Sequence, residues 1–537
     1  MPTTKRLFYL TVISAFLLTI VSLGIHNSMA TPFNGKYGGT IIIGMKGDFD
    51  SFNELNAGDA DALQVINNML FMTLTRLDSQ LQITPYLAES WQFAPGDTTL
   101  TFHLRRDVFW TDGHPTTAED VLFTCKIAVD PDYAYPGSSR FDLVKNVEVK
   151  NKFTVIFHLK KAYPDVLLDT QMPILPKHIL QNLTPEEMAS APFNRQPVGN
   201  GPFILQSWQA NQRLVFEANP KFALGRPFLD RVIFAVIPDE TVLFNSLVTG
   251  EIDLAPAILA QQFTQLSKTP NRKSIRYASR GYTFVAWNVT RPWLTKTVRQ
   301  ALTHAINRKE IINTLLEGFG QSISGPLMPF SWAYDKNLQG LSFDPARARQ
   351  LLAEAGWTDS NADGTLDRDG KEFRITLKTN AESQLRTDAT VMIQAQLKKI
   401  GVQVEVAAVE WNALLKQVFE AHDFDGLILG WDADFTVDPT PLWHSSAIEN
   451  GFNFIGYANT RIDDLIERGR ASADRKKALS YWREFQNIIV QDSPYTFLFM
   501  KDNLAGANTR IHDLKMDVRG FLANIHAWWV PQSARKY

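Results

Sequence analysis

One cysteine in 537 residues excludes an internal disulfide, so the chain must be held by its core and its hydrogen bonds. Basic residues do not exceed acids: 54 against 56 leaves a net charge of −2, without the basic balance that nucleic-acid binding needs. The catalytic signatures are missing too. There is no Gly-x-Ser-x-Gly elbow, no His-Glu-x-x-His, no phosphate-cradling glycine loop and no Cys-x-x-Cys. The ten histidines are scattered, and none pairs with another at ligand spacing beside a carboxylate. No metal ligand, no cofactor and no catalytic residue is therefore expected. After the first 30 residues no run is long and apolar enough to cross a membrane, and there is no low-complexity tract or internal repeat.

The chain opens with Lys5 and Arg6, runs uncharged from Leu7 to Ile25, and reaches Ser28-Met29-Ala30. A basic start, an apolar stretch and small residues at −3 and −1 predict a secretory signal peptide over residues 1–30, cut after Ala30. The alternative is an uncleaved N-terminal anchor. A lipoprotein needs a cysteine just after the apolar run, and Cys125 lies far beyond it. At 45% hydrophobic and 11% aromatic, the remainder can build a large core. A periplasmic or cell-surface protein follows.

Strand and helix patterns mix throughout. Gly39–Gly44 reads as a buried strand, and residues 99–104 and 153–159 alternate as half-buried strands do. Asp344-Pro345 opens a helix that Gly356 closes, with Ala348, Leu351, Leu352 and Ala355 on one face. A strand at Phe373, Ile375 and Leu377, a helix from Gln384 to Ile400, and strands at Val402–Val406 and Leu427–Leu429 follow. Such alternation predicts an α/β fold with partly parallel strands. One helix is expected from Val298 to Arg308, with Leu302, Ala305, Ile306 and later Leu316 on its core face and His304 at the surface.

Two loops could carry chemistry. Asp359–Asp367 places oxygen ligands and a glycine as a calcium loop does, but Gly370 stands where the bidentate glutamate belongs. A polar hairpin turn is the favoured reading. Gly430–Ser445 sets Asp432, Asp434 and Asp438 between Trp431 and Trp443. These acids could be a general acid–base pair of an exported hydrolase, a cation site or a solvated loop.

Several stretches stand in a familiar order: Pro85–Trp91, Thr101–Arg106, Trp110–Pro115, Ala118–Val121, Pro197–Phe203, Gly250–Asp253, Val298–Leu302, Leu351–Trp357 and Phe454–Tyr457. Together they resemble the bacterial extracellular solute-binding proteins of family 5, the oligopeptide- and dipeptide-binding type of ABC importers. The resemblance implies a periplasmic-binding-protein clamshell (type II, cluster C-like) with three lobes, the first discontinuous. The implied spans are 31–75, 177–278 and 497–537 for lobe I, 76–176 for an inserted lobe II and 279–496 for lobe III. It also implies a monomeric receptor that captures a short peptide and delivers it to permease and ATPase subunits. Nickel chelates, haem, opines and oligosaccharides are alternative ligands, since fold does not set function.

A buried ammonium needs a carboxylate partner. In peptide-binding members that acid lies three residues after a Gly–Trp pair, which implies Asp434 here. Pro439, eight residues after Trp431, departs from the usual seven, and Pro441–Ser445 is closer to a branch that usually lacks this acid. The alternative for Asp434 is a solvated acid. Trp431, Trp287, Asn288 and Trp411 are the other implied ligand-binding residues, with core packing as the alternative for the tryptophans. Arg386 lies in a plausible region for the ligand carboxylate, without a firm assignment.

Overall fold

Ile41 and Ile43 alternate onto a fully buried face, which is why the glycine-bounded run extends as β1 (Thr40–Met45). The computed structural model describes residues 35–536, so the leader expected over residues 1–30 lies outside the described residues. Among the described residues no helix is long and apolar enough to cross a membrane. The principal further strands are β2 (Ala88–Phe93), β3 (Thr99–Leu104), β4 (Val144–Asn151), β5 (Thr154–Leu159), β6 (Phe203–Gln209), β7 (Arg213–Ala218) and β8 (Arg231–Val236). They continue with β9 (Leu254–Ala255), β10 (Arg272–Trp287), β11 (Arg374–Asn380), β12 (Gln403–Val409), β13 (Gly426–Asp432) and β14 (Tyr495–Asn508).

β2 to β5 form their own antiparallel sheet, in the order β2-β3-β5-β4. The rest join an 11-stranded mixed sheet in the order β12-β11-β13-β10-β14-β9-β1-β8-β7-β6, with Gly320–Ser322 also paired to β14. β10 and β14 run through both halves of it. A 16-residue strand at about 3.3 Å per residue is about 50 Å long, enough to join two bodies. Arg272–Ala278 pairs with the end of β14 and Tyr282–Ala286 with its start, and the register shifts between Ala278 and Tyr282. That irregularity marks the joint between a first body around β1 and a second around β13.

The pleat sorts the second body's core. Tyr282, Phe284 and Ala286 of β10 face one hydrophobic cluster, and Val285 and Trp287 face another on the opposite side of the sheet. The expected helices form at Pro345–Glu354, where the Asp344 side chain accepts from the Arg347 amide at 2.9 Å, and at Gln384–Lys398. The helix expected from Val298 to Arg308 instead breaks. Lys296–Ala305 ends at Ile306, and Asn307 caps a second helix, Arg308–Leu315. Asn competes for the backbone amides ahead of it, a signal that the apolar periodicity masked.

The tail returns to the first body. Arg510 bonds both carboxylate oxygens of buried Asp253 and the Thr40 carbonyl, tying the C-terminal segment to β1. In the Gly199-Asn200-Gly201 turn, the amides of Asn200 and Gly201 both donate to the Leu70 carbonyl, at 3.0 and 2.8 Å. A Cβ at Gly199 would lie 2.1 Å from that oxygen. Gly199→Ala is therefore expected to destabilise the protein by about 2–3 kcal/mol, since backbone, not a flexible side chain, must move. A melting temperature equal to wild type would show that the turn yields freely.

Candidate functional site

The parallel strands β11 and β12 end level at Asn380 and Val409, and β13 runs past them on the same side to Asp432. Open α/β sheets present ligand sites on the loops beyond such carboxyl ends. Trp411 follows β12 and Asp434 follows β13, so both stand on that side. Trp411 is 42% exposed and borders none of the cavities around Asp434.

Asp434 is where the two bodies meet. It borders three cavities of about 240, 320 and 260 Å³. One carboxylate oxygen lies 3.5 Å from Arg140 of the first body, and the other accepts the Phe435 amide at 2.7 Å. Trp431 is half-buried and lines the third cavity, stacked on Phe284 at 6.2 Å and edge-on to Phe452 at 5.5 Å. Its indole Nε1 is buried without a hydrogen-bond partner.

Trp287 and Asn288 lie inside the second body. Both are 0% exposed, which leaves no surface for a ligand. The Trp287 indole donates to Thr496 Oγ1 at 2.9 Å. The Asn288 amide donates to the carbonyls of His422 and Phe424, and its oxygen accepts from the Thr290 amide and hydroxyl. Every polar atom is used within the second body. At its C-terminal end β10 lies between two hydrophobic clusters, so Trp287 is scaffold here.

The residues that sequence reasoning missed come from the first body. Asp165 is 4% exposed, and all its partners belong to the second body. It accepts the Val437 amide at 2.8 Å, the Trp332 indole at 3.0 Å and Arg475 at 2.9 Å. It thus pins the loop that carries Asp434. Near it, burial pushes the carboxyls of Glu54 and Asp169 up to about 7, although the positive charge of Arg140 pulls both down. Tyr135 donates to Glu54 at 3.2 Å. No local pattern around Asp165 announces this contact, since its partners lie 167 to 310 residues away.

One cavity beside Asp434 is lined by four arginines, Arg76, Arg140, Arg280 and Arg519. Arg519 is engaged by Asp517 at 2.6 Å, and Arg76 lies over the Tyr86 ring at 4.7 Å. Arg280 sits in the register break of β10 and has no acidic partner among the described residues. Arg386, by contrast, donates to Asn380 at 2.8 Å at the end of β11.

Asp438 pairs with Arg470 at 2.9 Å and Asp434 faces Arg140 at 3.5 Å, so two of the loop's three acids are held by arginines, while Asp432 lines the third cavity. Asp359 accepts the amides of Asp363 and Gly364, and Asp367 binds Ser360, as in a polar turn. Buried Cys125 has its thiol pushed up to about 12 by burial, which leaves it inert.

Comparison with known proteins places this geometry. Over 515 residues the chain is 36% identical to the oligopeptide-binding protein AppA of Bacillus subtilis, covering 94% of both chains. Its fold matches the structure of Bacillus subtilis AppA in complex with a nonapeptide, with a TM-score of 0.75 at 34% identity, over 93% of this chain and 100% of that one. It also matches Campylobacter jejuni NikZ in complex with Ni(L-His), with a TM-score of 0.76 at 27% identity, over 91% and 99%. The fold is that of the solute-binding clamshell, and these relatives are binding proteins. The family model of the bacterial extracellular solute-binding proteins, family 5, matches residues 82–453, and the chain belongs to that family.

Proposed function

We propose that this protein is the extracytoplasmic receptor of an ABC importer, a monomer that captures short peptides between its two bodies and delivers them to the membrane permease. The observation that carries the reading is Asp434, a carboxylate at the junction of three cavities where the bodies meet. An extended peptide satisfies its backbone on strand edges whatever its side chains, and its terminal ammonium needs one acid. Likeness to AppA, solved with a nonapeptide, supports a peptide of several residues. ATP hydrolysis belongs to partner subunits. The lobe spans 31–75, 76–176, 177–278, 279–496 and 497–537 put Arg140 and Asp165 on the inserted lobe and Asp434 on the third. Ligand contact with both sides favours the closed arrangement that the permease reads.

The test compares a free peptide with its N-acetylated form by calorimetry. Acetylation, or Asp434→Asn with the free peptide, is expected to weaken binding by at least about 10-fold, the value of one hydrogen bond to a charged group. Equal affinities would remove Asp434 as the ammonium anchor.

The arginine-lined cavity favours a second reading, an anionic ligand such as a metal chelate. A ligand at 100 times its dissociation constant stabilises by about 2.7 kcal/mol, so a thermal-shift series separates the two. Stabilisation by a chelate and none by tri- to nonapeptides would replace the peptide reading.

A further inference from the structure

We infer that Asp112, His114 and His178 form a binding site for a borderline divalent transition metal such as Zn²⁺ on the first body, apart from the cleft. Spacing along the chain hid it, because 66 residues separate Asp112 from His178. No two histidines stand at ligand spacing along the chain, yet the fold brings His114 and His178 together beside Asp112. His178 Nε2 lies 2.7 Å from one carboxylate oxygen of Asp112, and His114 Nδ1 lies 3.2 Å from the other. All three ligand atoms fall within 4.8 Å of one another. Metal–ligand bonds of about 2.0–2.2 Å put neighbouring ligand atoms about 3.0–3.5 Å apart, so only small side-chain shifts separate this cluster from a coordinating one.

The cluster is held from below. Trp110 and Gly113 close a tight turn with Gly113 at φ +95°, the Thr111 amide donates to the Gly199 carbonyl, and the His114 amide donates to Asp112 at 3.1 Å. His178 sits in the helix Lys177–Leu180, whose first amide donates to Asp120 at 3.0 Å, and its ring leans on buried Trp110. The two imidazoles stack at 4.3 Å with 31° between planes. One shared cation would satisfy both ring nitrogens and the carboxylate between them.

Two imidazoles and one carboxylate select Zn²⁺, Co²⁺ or Ni²⁺ over Mg²⁺ or Ca²⁺, which need mostly oxygen. The side chain of His114 is 62% exposed, so the remaining coordination positions face solvent and are open to water or to a donor from another molecule. None of the three residues borders the cavities around Asp434.

The experiment titrates the full chain with Co²⁺ alone, following its visible absorption, and then displaces it with Zn²⁺. One equivalent is expected at micromolar metal. His114→Ala, at an exposed position that leaves the fold intact, is expected to weaken uptake at least about tenfold while leaving any peptide-induced thermal shift unchanged. His158→Ala, which removes a histidine paired with Glu148 elsewhere, is expected to bind as wild type. No uptake by the wild type at micromolar metal, or equal uptake by His114→Ala, would overturn the site.

Discussion

Asp165→Ala is expected to weaken ligand binding by about 100-fold and to open the protein in solution. The side chain is 6% exposed, and it holds the Val437 amide, the Trp332 indole and Arg475 at once, all across the junction. Hydrogen bonds to a charged group are each worth about 1.5–3 kcal/mol, but three on one carboxylate are not additive. Arg475 is also 36% exposed and rehydrates when released, which discounts the ion pair. A net loss of about 2.7 kcal/mol remains, or two decades in affinity. Because Asp165 lies on one body and its three partners on the other, the loss falls on the closed arrangement rather than on either core. Calorimetry should show the weaker binding, small-angle scattering a larger radius of gyration, and the melting of each body little change. Asp165→Asn, which keeps one acceptor, should fall between. Wild-type affinity and radius in Asp165→Ala would show that closure does not depend on this contact.

Stability should fall by about 2 kcal/mol between pH 6 and pH 8. Glu54 and Asp169 have folded values near 7, raised by burial above their ordinary 4.5 and 3.8. In this window the unfolded chain has already released both protons, while the folded chain still holds them at pH 6 and loses them by pH 8. The folded state binds more protons, so stability declines as pH rises. His526 acts in the opposite sense. Burial, helped by Arg76 and Arg519, lowers it from 6.5 to about 4, so near pH 6 the unfolded chain carries a proton that the folded one does not. That term offsets part of the slope near pH 6 and vanishes above pH 7. Each carboxyl contributes somewhat over ~1 kcal/mol across the window and His526 returns part of one such share, leaving about 2. Glu54→Gln should remove roughly one carboxyl's share and raise the melting temperature at pH 8. A wild-type melting profile flat from pH 6 to 8 would refute the assignment.

Both results bear on function, because Glu54, Asp169 and Arg140 surround the face that Asp434 meets. Protonation of the two carboxyls leaves Arg140 as the dominant charge there and strengthens its hold on Asp434. A ligand ammonium at Asp434 would then compete with a stronger rival, so binding should tighten with rising pH while the fold weakens.

The local pattern of residues determined the elements. Alternation set β1, β3 and β5, and the Asp344-Pro345 and Gly356 signals bounded their helix, because these rest on contacts within a few residues. The stretches shared with the solute-binding family established fold and class, and they singled out Trp431 and Asp434, which line cavities in the structure. What tertiary structure alone decided is which side chains a strand buries and which distant residues share a cavity. Trp287 and Asn288 fell to the core because β10 lies between two hydrophobic clusters, a fact set by strand order rather than by the strand. Asp165 and its partners, like Asp112 and His178, are joined by a chain that returns after scores or hundreds of residues. No periodicity spans such distances, since only packing of whole bodies brings the groups within hydrogen-bond range.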